Sequence, residues 1–370
     1  MSPECGQFRI DRNAAASKTA QVRENRLEYP VMATILASND DSVEGSSSTN
    51  RVPHWKAEMK QAVRSGRELC ELVGVAREIS NLSAEADFPV FVPPSYVRKI
   101  EFGNSADPLL KQVIGVSEET QGFGQIDAVG DLPAQRAPGV LQKYAGRALL
   151  IASGTCAVNC RYCFRRHFPY DDAPKGKQLA AAIDQLTEDP AIEEVIFSGG
   201  DPLTLSDSTL ADLVARCDSS TGLRRLRFHT RLPVVIPQRI NDELLGWVGR
   251  LRLPITFVMH FNHVNEICDL AIQRLHALHR AGANLLNQTV LLKGVNDNPD
   301  ALCELSNRML DARVMPYYLH QLDPVRGAMH FEVPVQKGRA IVDAMRKRLP
   351  GYAVPRYVCE TAGEQSKTPL

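Results

Sequence analysis

Between residues 148 and 319 the chain alternates short apolar runs with longer stretches whose apolar positions recur every three or four residues. ALLIAS (148–153), EVIFS (194–198), RLRFH (225–229), ITFVM (255–259), LLNQTVLL (285–292) and VMPYYL (314–319) read as buried strands. KQLAAAIDQL, DSTLADLVARC, INDELLGWVGRL, EICDLAIQRLHALHRAG and DALCELSNRML, lying between them, read as helices with one apolar face. Strict alternation of strand and helix predicts a parallel sheet with right-handed crossovers. Six such units predict an α/β fold, a partial (β/α)6 barrel of TIM type over 143–320, whose chemistry gathers where the strands end. From residue 53 apolar and charged positions interleave, as in WKAEMKQAV and RELCELVGVAREI, which predicts a helical region over 53–142. Residues 321–370 follow the barrel as a C-terminal segment. Residues 1–52 include SNDDSVEGSSSTN, too polar to bury a core, and are expected to be a disordered extension.

Composition changes this picture only by exclusion. The 370 residues carry 43 Lys and Arg against 43 Asp and Glu, so no overall field draws the protein to nucleic acid or a membrane. No apolar run is long enough for a membrane span, and the first fifty residues hold no apolar leader core. The expectation is a cytoplasmic enzyme. Its nine cysteines are odd in number and, apart from one cluster, scattered, which argues reduced thiols rather than disulfides.

That cluster is CAVNCRYCF, with Cys156, Cys160 and Cys163. A structural zinc site takes four protein ligands, usually as two separated pairs, so a tight triplet fits it poorly. A [4Fe–4S] cubane held by three thiolates would leave one iron open to a small molecule. Three ordinary buried thiols are the plain alternative. The other unusual sequences fall on the same rim: SGGDP after the second strand, HTRLP after the third, HFNH after the fourth and HQLDP after the sixth. In SGGDP, Ser198, Gly199, Gly200 and Asp201 offer close backbone approach and a carboxylate that can accept from an ammonium.

The CxxxCxxC spacing resembles that of the radical S-adenosylmethionine (SAM) superfamily, which implies that SAM chelates the fourth iron and that SGGDP contacts its amino group. CRYCFRRHFPY, RLPVVIPQRI, HFNHVNEI, LLNQTVLLKGVND, MPYYLHQLD, GYAVPRYV and GEQSKTPL follow in the order of the lysine 2,3-aminomutase family, from about Asp107 onward. The resemblance is closest to the branch that makes (R)-β-lysine for elongation factor P. It implies conversion of (S)-α-lysine to (R)-β-lysine with a [4Fe–4S] cluster, SAM and pyridoxal phosphate. Lys367, in SKTP, takes the position that forms the internal aldimine. Lys143, Tyr144 and Arg147 in LQKYAGR match the stretch that contacts pyridoxal phosphate, with Arg147 toward the phosphate. Arg165 matches the arginine for the substrate carboxylate, Asp323 and Glu360 the acidic pair for its ammonium, and His260 and Gln288 residues around SAM. Glu360 stands where the longer enzymes have aspartate, and Asn298 follows GVND where they have a zinc cysteine, so no zinc is expected. The implied partners are L-lysine, an external electron donor and, indirectly, the elongation factor P pathway, with a homo-oligomer left open. A mutase for another amino acid is the nearest alternative, and an RNA-modifying enzyme of the same superfamily a further one; the acidic pair and the neutral charge balance weigh against them.

Overall fold

The protein is described here from a computed structural model over residues 54–370; the expectation of an extension over 1–52 concerns residues outside this range. Ten strands form one sheet in sequence order: β1 (Gln135–Ala137), β2 (Val140–Leu141), β3 (Gly146–Ser153), β4 (Ile192–Gly199), β5 (Arg225–Thr230), β6 (Ile255–Met259), β7 (Asn284–Val290), β8 (Met315–His320), β9 (Arg356–Cys359) and β10 (Thr368–Pro369). From β3 to β9 every neighbouring pair is parallel. The six strands read from the sequence are all present, and β9 adds a seventh to the parallel set. Antiparallel pairings of β1 with β2, β2 with β3, and β9 with β10 finish the two edges.

Side-chain alternation along the strands sorts inside from outside. Phe197, Phe228 and Phe257, on adjacent strands β4 to β6, stack at centroid spacings of 4.5 and 5.2 Å on the helix-covered face. Arg227 and His229 flank Phe228 in sequence and point the other way, into a cavity. Five helices of seven to thirteen residues cover the outer face within the barrel: α6 (Lys177–Glu188), α7 (Asp207–Ser219), α9 (Asp242–Val248), α10 (Asp269–Arg280) and α11 (Pro299–Asp311), with a short turn α8 (Leu232–Val235) after β5. Their starts follow cap chemistry. The side chains of Ser206, Asn241 and Asn298 accept from the N–H groups of Thr209, Leu244 and Ala301. Asn298, the residue after GVND, thus serves as an N-cap. A further helix, α12 (Val335–Arg346), leads to β9.

The region before the sheet is built of short helices, α1 (His54–Lys60), α2 (Gly66–Leu72), α3 (Leu82–Asp87), α4 (Pro94–Val97) and α5 (Pro108–Lys111). They pack on the cysteine loop. Arg161, between the second and third cysteines, is fully buried; it donates to Glu119 at 2.5 and 2.8 Å and to the carbonyls of Ala84 and Phe88. Glu119 also pairs with Arg166 at 2.9 Å. The backbone N–H groups of Asn159 and Arg161 donate to Phe91 and Gln112. The lead-in therefore acts as a clamp on the loop.

Candidate active site

One cavity of about 580 Å³ is lined by every site residue expected from the sequence, from Cys156, Cys160 and Cys163 to Lys367. Residues of β3 through β9 and the loops that follow them contribute to its wall, so the sheet curls around it.

The cysteine wall is held by SGGDP. The N–H groups of Gly200 and Asp201 donate to the carbonyls of Ser153 and Thr155 at 2.7 and 2.8 Å, joining the end of β4 to the start of the cysteine loop. Gly199 has φ 115°, and a Cβ on Gly200 would stand 2.5 Å from the Thr155 carbonyl, so both glycines are required by backbone packing. Asp201 departs from the sequence reading. Its carboxylate accepts from Thr230 Oγ1 and from the N–H groups of Leu203, Arg231 and Leu232, which ties β4 to β5 and leaves it a structural cap instead of an ammonium acceptor. Burial first, then the neighbouring charges of Cys163, Asp201 and Cys160, push the Cys156 thiol well above its ordinary range; burial and then Cys160 take Cys163 to about 11. As thiolates they need a cationic partner. Among the described residues no three Cys, His, Asp or Glu side chains converge on a single ion-sized site. A cubane, which gives each thiolate its own iron, fits this donor set.

Arg165 leaves the cysteine loop for the cavity. Its Nε donates to Asp131 Oδ2 at 2.6 Å and its Nη1 to Ser198 Oγ at 3.0 Å, so Ser198 orients this arginine. Asp131, which sequence reasoning missed, also pairs with Lys143 at 2.7 Å. Burial favours its neutral form, but Arg165 and Lys143 hold its carboxyl below the usual range. The Asp127 carboxylate accepts from the N–H groups of Asp131 and Leu132 at 2.9 Å and so holds this loop. The loop is also pinned from the far side: Gln125 N–H donates to Pro324 and Arg326 N–H to Gln125, both at 2.8 Å, beside Asp323.

Lys367 is brought to the cavity by the pairing of β10 with β9, in which Thr368 faces Cys359. Its ammonium pairs with Glu360, and it stays 23% exposed. Lys143, expected at the cofactor, instead bridges Asp131 and Glu360, at 2.7 and 3.0 Å. Burial favours the neutral acid at Glu360, but Lys367 and then Lys143 hold it at about 2. Asp323 behaves oppositely: burial, then the Glu360 charge, raise it to about 7. The two carboxyls thus divide into one permanent anion and one that titrates near neutrality. Arg147 lies over the Tyr144 ring at 4.5 Å, and both line the cavity. An amine, a guanidinium and an aromatic hydroxyl in one cavity suit an aldehyde-bearing aromatic phosphate.

His260 Nε2 lies 2.9 Å from Gln288 Nε2, so these two expected residues hold each other. Burial, then Arg231 and Arg165, keep His260 neutral with a value of about 3. His229 and His320, the first residues of the rim sequences HTRLP and HQLDP but given no role from the sequence, are also kept neutral, first by burial. A lone histidine on an apolar strand carries no signal of which way it faces.

At the level of family, the chain is similar to known proteins. The Radical SAM superfamily model matches residues 150–305. The L-lysine 2,3-aminomutase of Escherichia coli (strain K12) is 42% identical over 325 residues, covering 85% of this chain and 94% of the relative. That of Haemophilus influenzae is 41% identical over 321 residues, covering 85% and 95%. That of Clostridium subterminale is 33% identical over 322 residues, 85% of this chain and 77% of the relative.

Proposed function

The chain belongs to the L-lysine 2,3-aminomutase family of the radical SAM superfamily and is an isomerase, and from that premise we propose that it moves the α-amino group of free L-lysine to the β-carbon, giving (R)-β-lysine. The observation that carries the reading is one cavity lined together by three thiols, Arg165, Lys367, Asp323 and Glu360. When bound, a [4Fe–4S] cluster and SAM supply a hydrogen-abstracting radical, and pyridoxal phosphate supplies an aldehyde and a conjugated ring. Cys156, Cys160 and Cys163 would hold the cluster, Lys367 the aldehyde and Arg147 the phosphate.

The chain's own residues bind and orient the substrate. Arg165, fixed by Asp131 and Ser198, has no hydrogen-bond partner on Nη2 among the described residues, which leaves that nitrogen for a carboxylate. Glu360 and Asp323 receive the side-chain ammonium. Glu360 has two cationic partners, Lys143 and Lys367. Were an aldehyde to hold the Lys367 nitrogen, Lys143 would remain beside Glu360, and the Glu360 oxygen that now meets Lys367 would be open to a substrate ammonium. Asp131 and Lys143 link the carboxylate end to the ammonium end, so the two are held at a fixed span.

The finer reading, that the β-lysine formed serves to modify elongation factor P, is supported by the run GEQSKTPL around Lys367, which resembles that branch. The test is an anaerobic substrate panel with reconstituted protein, an external low-potential electron donor, and L-lysine, L-glutamate or a lysine-bearing elongation factor P as substrate. L-lysine alone is expected to be isomerised. Turnover of L-glutamate or of the protein lysine in its place would overturn the assignment.

A further inference from the structure

Arg231, the residue after β5, is only 7% exposed and sits where four segments of the chain converge. Its Nη2 donates to Glu266 Oε1 at 2.6 Å, to Gln112 Oε1 at 2.9 Å and to Tyr96 Oη at 3.3 Å. Its Nη1 donates to Cys160 Sγ at 2.7 Å and touches the Tyr162 hydroxyl. Its backbone N–H is fixed by Asp201 at 2.7 Å. Glu266 is itself fully buried, with Oε2 accepting from the N–H groups of Asn262 and His263 at 2.6 and 3.2 Å.

A buried guanidinium is tolerated when it is paired and bonded, and Glu266, Gln112 and Tyr96 satisfy one of its nitrogens. The other, Nη1, is shared between the Tyr162 hydroxyl and a cysteine sulfur on the cavity wall. Hydrogen bonds and charge at the coordinating sulfurs are among the factors that set an iron–sulfur potential. Reduction by one electron makes a cluster more negative, so a cation at its ligand stabilises the reduced form and raises the potential. An anion behind that cation opposes the effect.

We propose that Arg231 is the positioning and potential-setting residue of the iron–sulfur cluster: its guanidinium fixes Cys160 and stabilises the reduced cluster, and Glu266 moderates the charge it presents. The proposal rests on the cluster assignment made above and adds to it a residue outside the cysteine motif. One electron enters from an external low-potential donor, and no proton or ligand need move.

The test is an EPR-monitored redox titration of reconstituted full-length protein without SAM or lysine, with iron and sulfide content measured alongside. Arg231→Gln is expected to shift the midpoint to lower potential, Arg231→Lys to stay close to the parent, and Glu266→Gln to shift it upward. Opposite signs for the two charge removals are what a purely structural ion pair would not produce. If Arg231→Gln fails to retain iron, Glu266→Gln decides: an upward shift supports the proposal, and an unchanged or lower midpoint overturns it. A full cluster at the parental potential in Arg231→Gln likewise overturns it. Failure of the parent protein to take up iron and sulfide would remove the cluster assignment itself.

Discussion

Glu360 and Asp323 carry the same charge type into the same corner of the cavity, yet they titrate far apart, at about 2 and about 7. The cations Lys367 and Lys143 pair directly with Glu360, while at Asp323 burial and then the repulsion of Glu360 outweigh the pull of the same two lysines. Below about pH 7 Asp323 is neutral and only Glu360 attracts a lysine ammonium; above it both do. KM for L-lysine should therefore fall several-fold as pH rises from about 6 to about 8, and Asp323→Asn should flatten that profile. A profile unchanged by the substitution would assign the dependence to another group. The three cysteines stand in one local motif and Lys367 was singled out by its resemblance to a family motif, and both line the cavity. Asp131 was not legible: it becomes a site residue only when the loop over 122–134 is pinned beside Asp323 and meets Arg165. Asp201 was read for the wrong partner, since an aspartate at a strand end gives no sign that four donors from its own and the next strand end already surround it.

At the level of elements, the parallel strands stood out because the face turned to the helices is apolar at every second position, and amphipathic stretches on either side of such a run supply the helices that cover it. The edges did not. RYVC supplies only four residues to β9, and β2 and β10 have two each, too short for any periodicity. The run read as a strand to 292 leaves the ladder after Val290: Leu291 N–H still reaches His320, and Leu292 N–H turns to the Asn296 side chain. The strand stack gives a direct stability test. Phe228 is fully buried between Phe197 and Phe257 and beside Trp247, so Phe228→Ala should cost about 3–5 kcal/mol in chemical denaturation. Asn298→Ala removes a cap on α11 and should cost only about 1 kcal/mol. Both are read from the shift of the denaturation midpoint, and a larger loss at Asn298 than at Phe228 would contradict the packing account.

Across the whole molecule, the lead-in helices and the barrel form one working unit because the cysteine loop is gripped from both sides. SGGDP holds its start, and Glu119, with the carbonyls of Ala84 and Phe88, holds Arg161 at its middle. Sequence periodicity showed that a helical region precedes the barrel but not that it serves the cluster site, since helices of four to seven residues broken by prolines leave little pattern. Glu119→Ala would strand the buried Arg161 and Arg166. The expected cost is about 3–5 kcal/mol, together with loss of iron on reconstitution, measured by thermal denaturation and metal analysis. Retention of both would show that the clamp is dispensable.

The central claim is that this cavity shifts the amino group of lysine by one carbon, with Lys367 at its centre. It is tested most directly by incubating the anaerobically reconstituted protein, supplied with pyridoxal phosphate, SAM and a strong reductant, with L-lysine labelled at the α-nitrogen, beside a Lys367→Ala control. Nuclear magnetic resonance should show the label on the β-carbon in the parent and none there in the control. Label remaining on the α-carbon, despite an intact cluster and bound pyridoxal phosphate, would contradict the account.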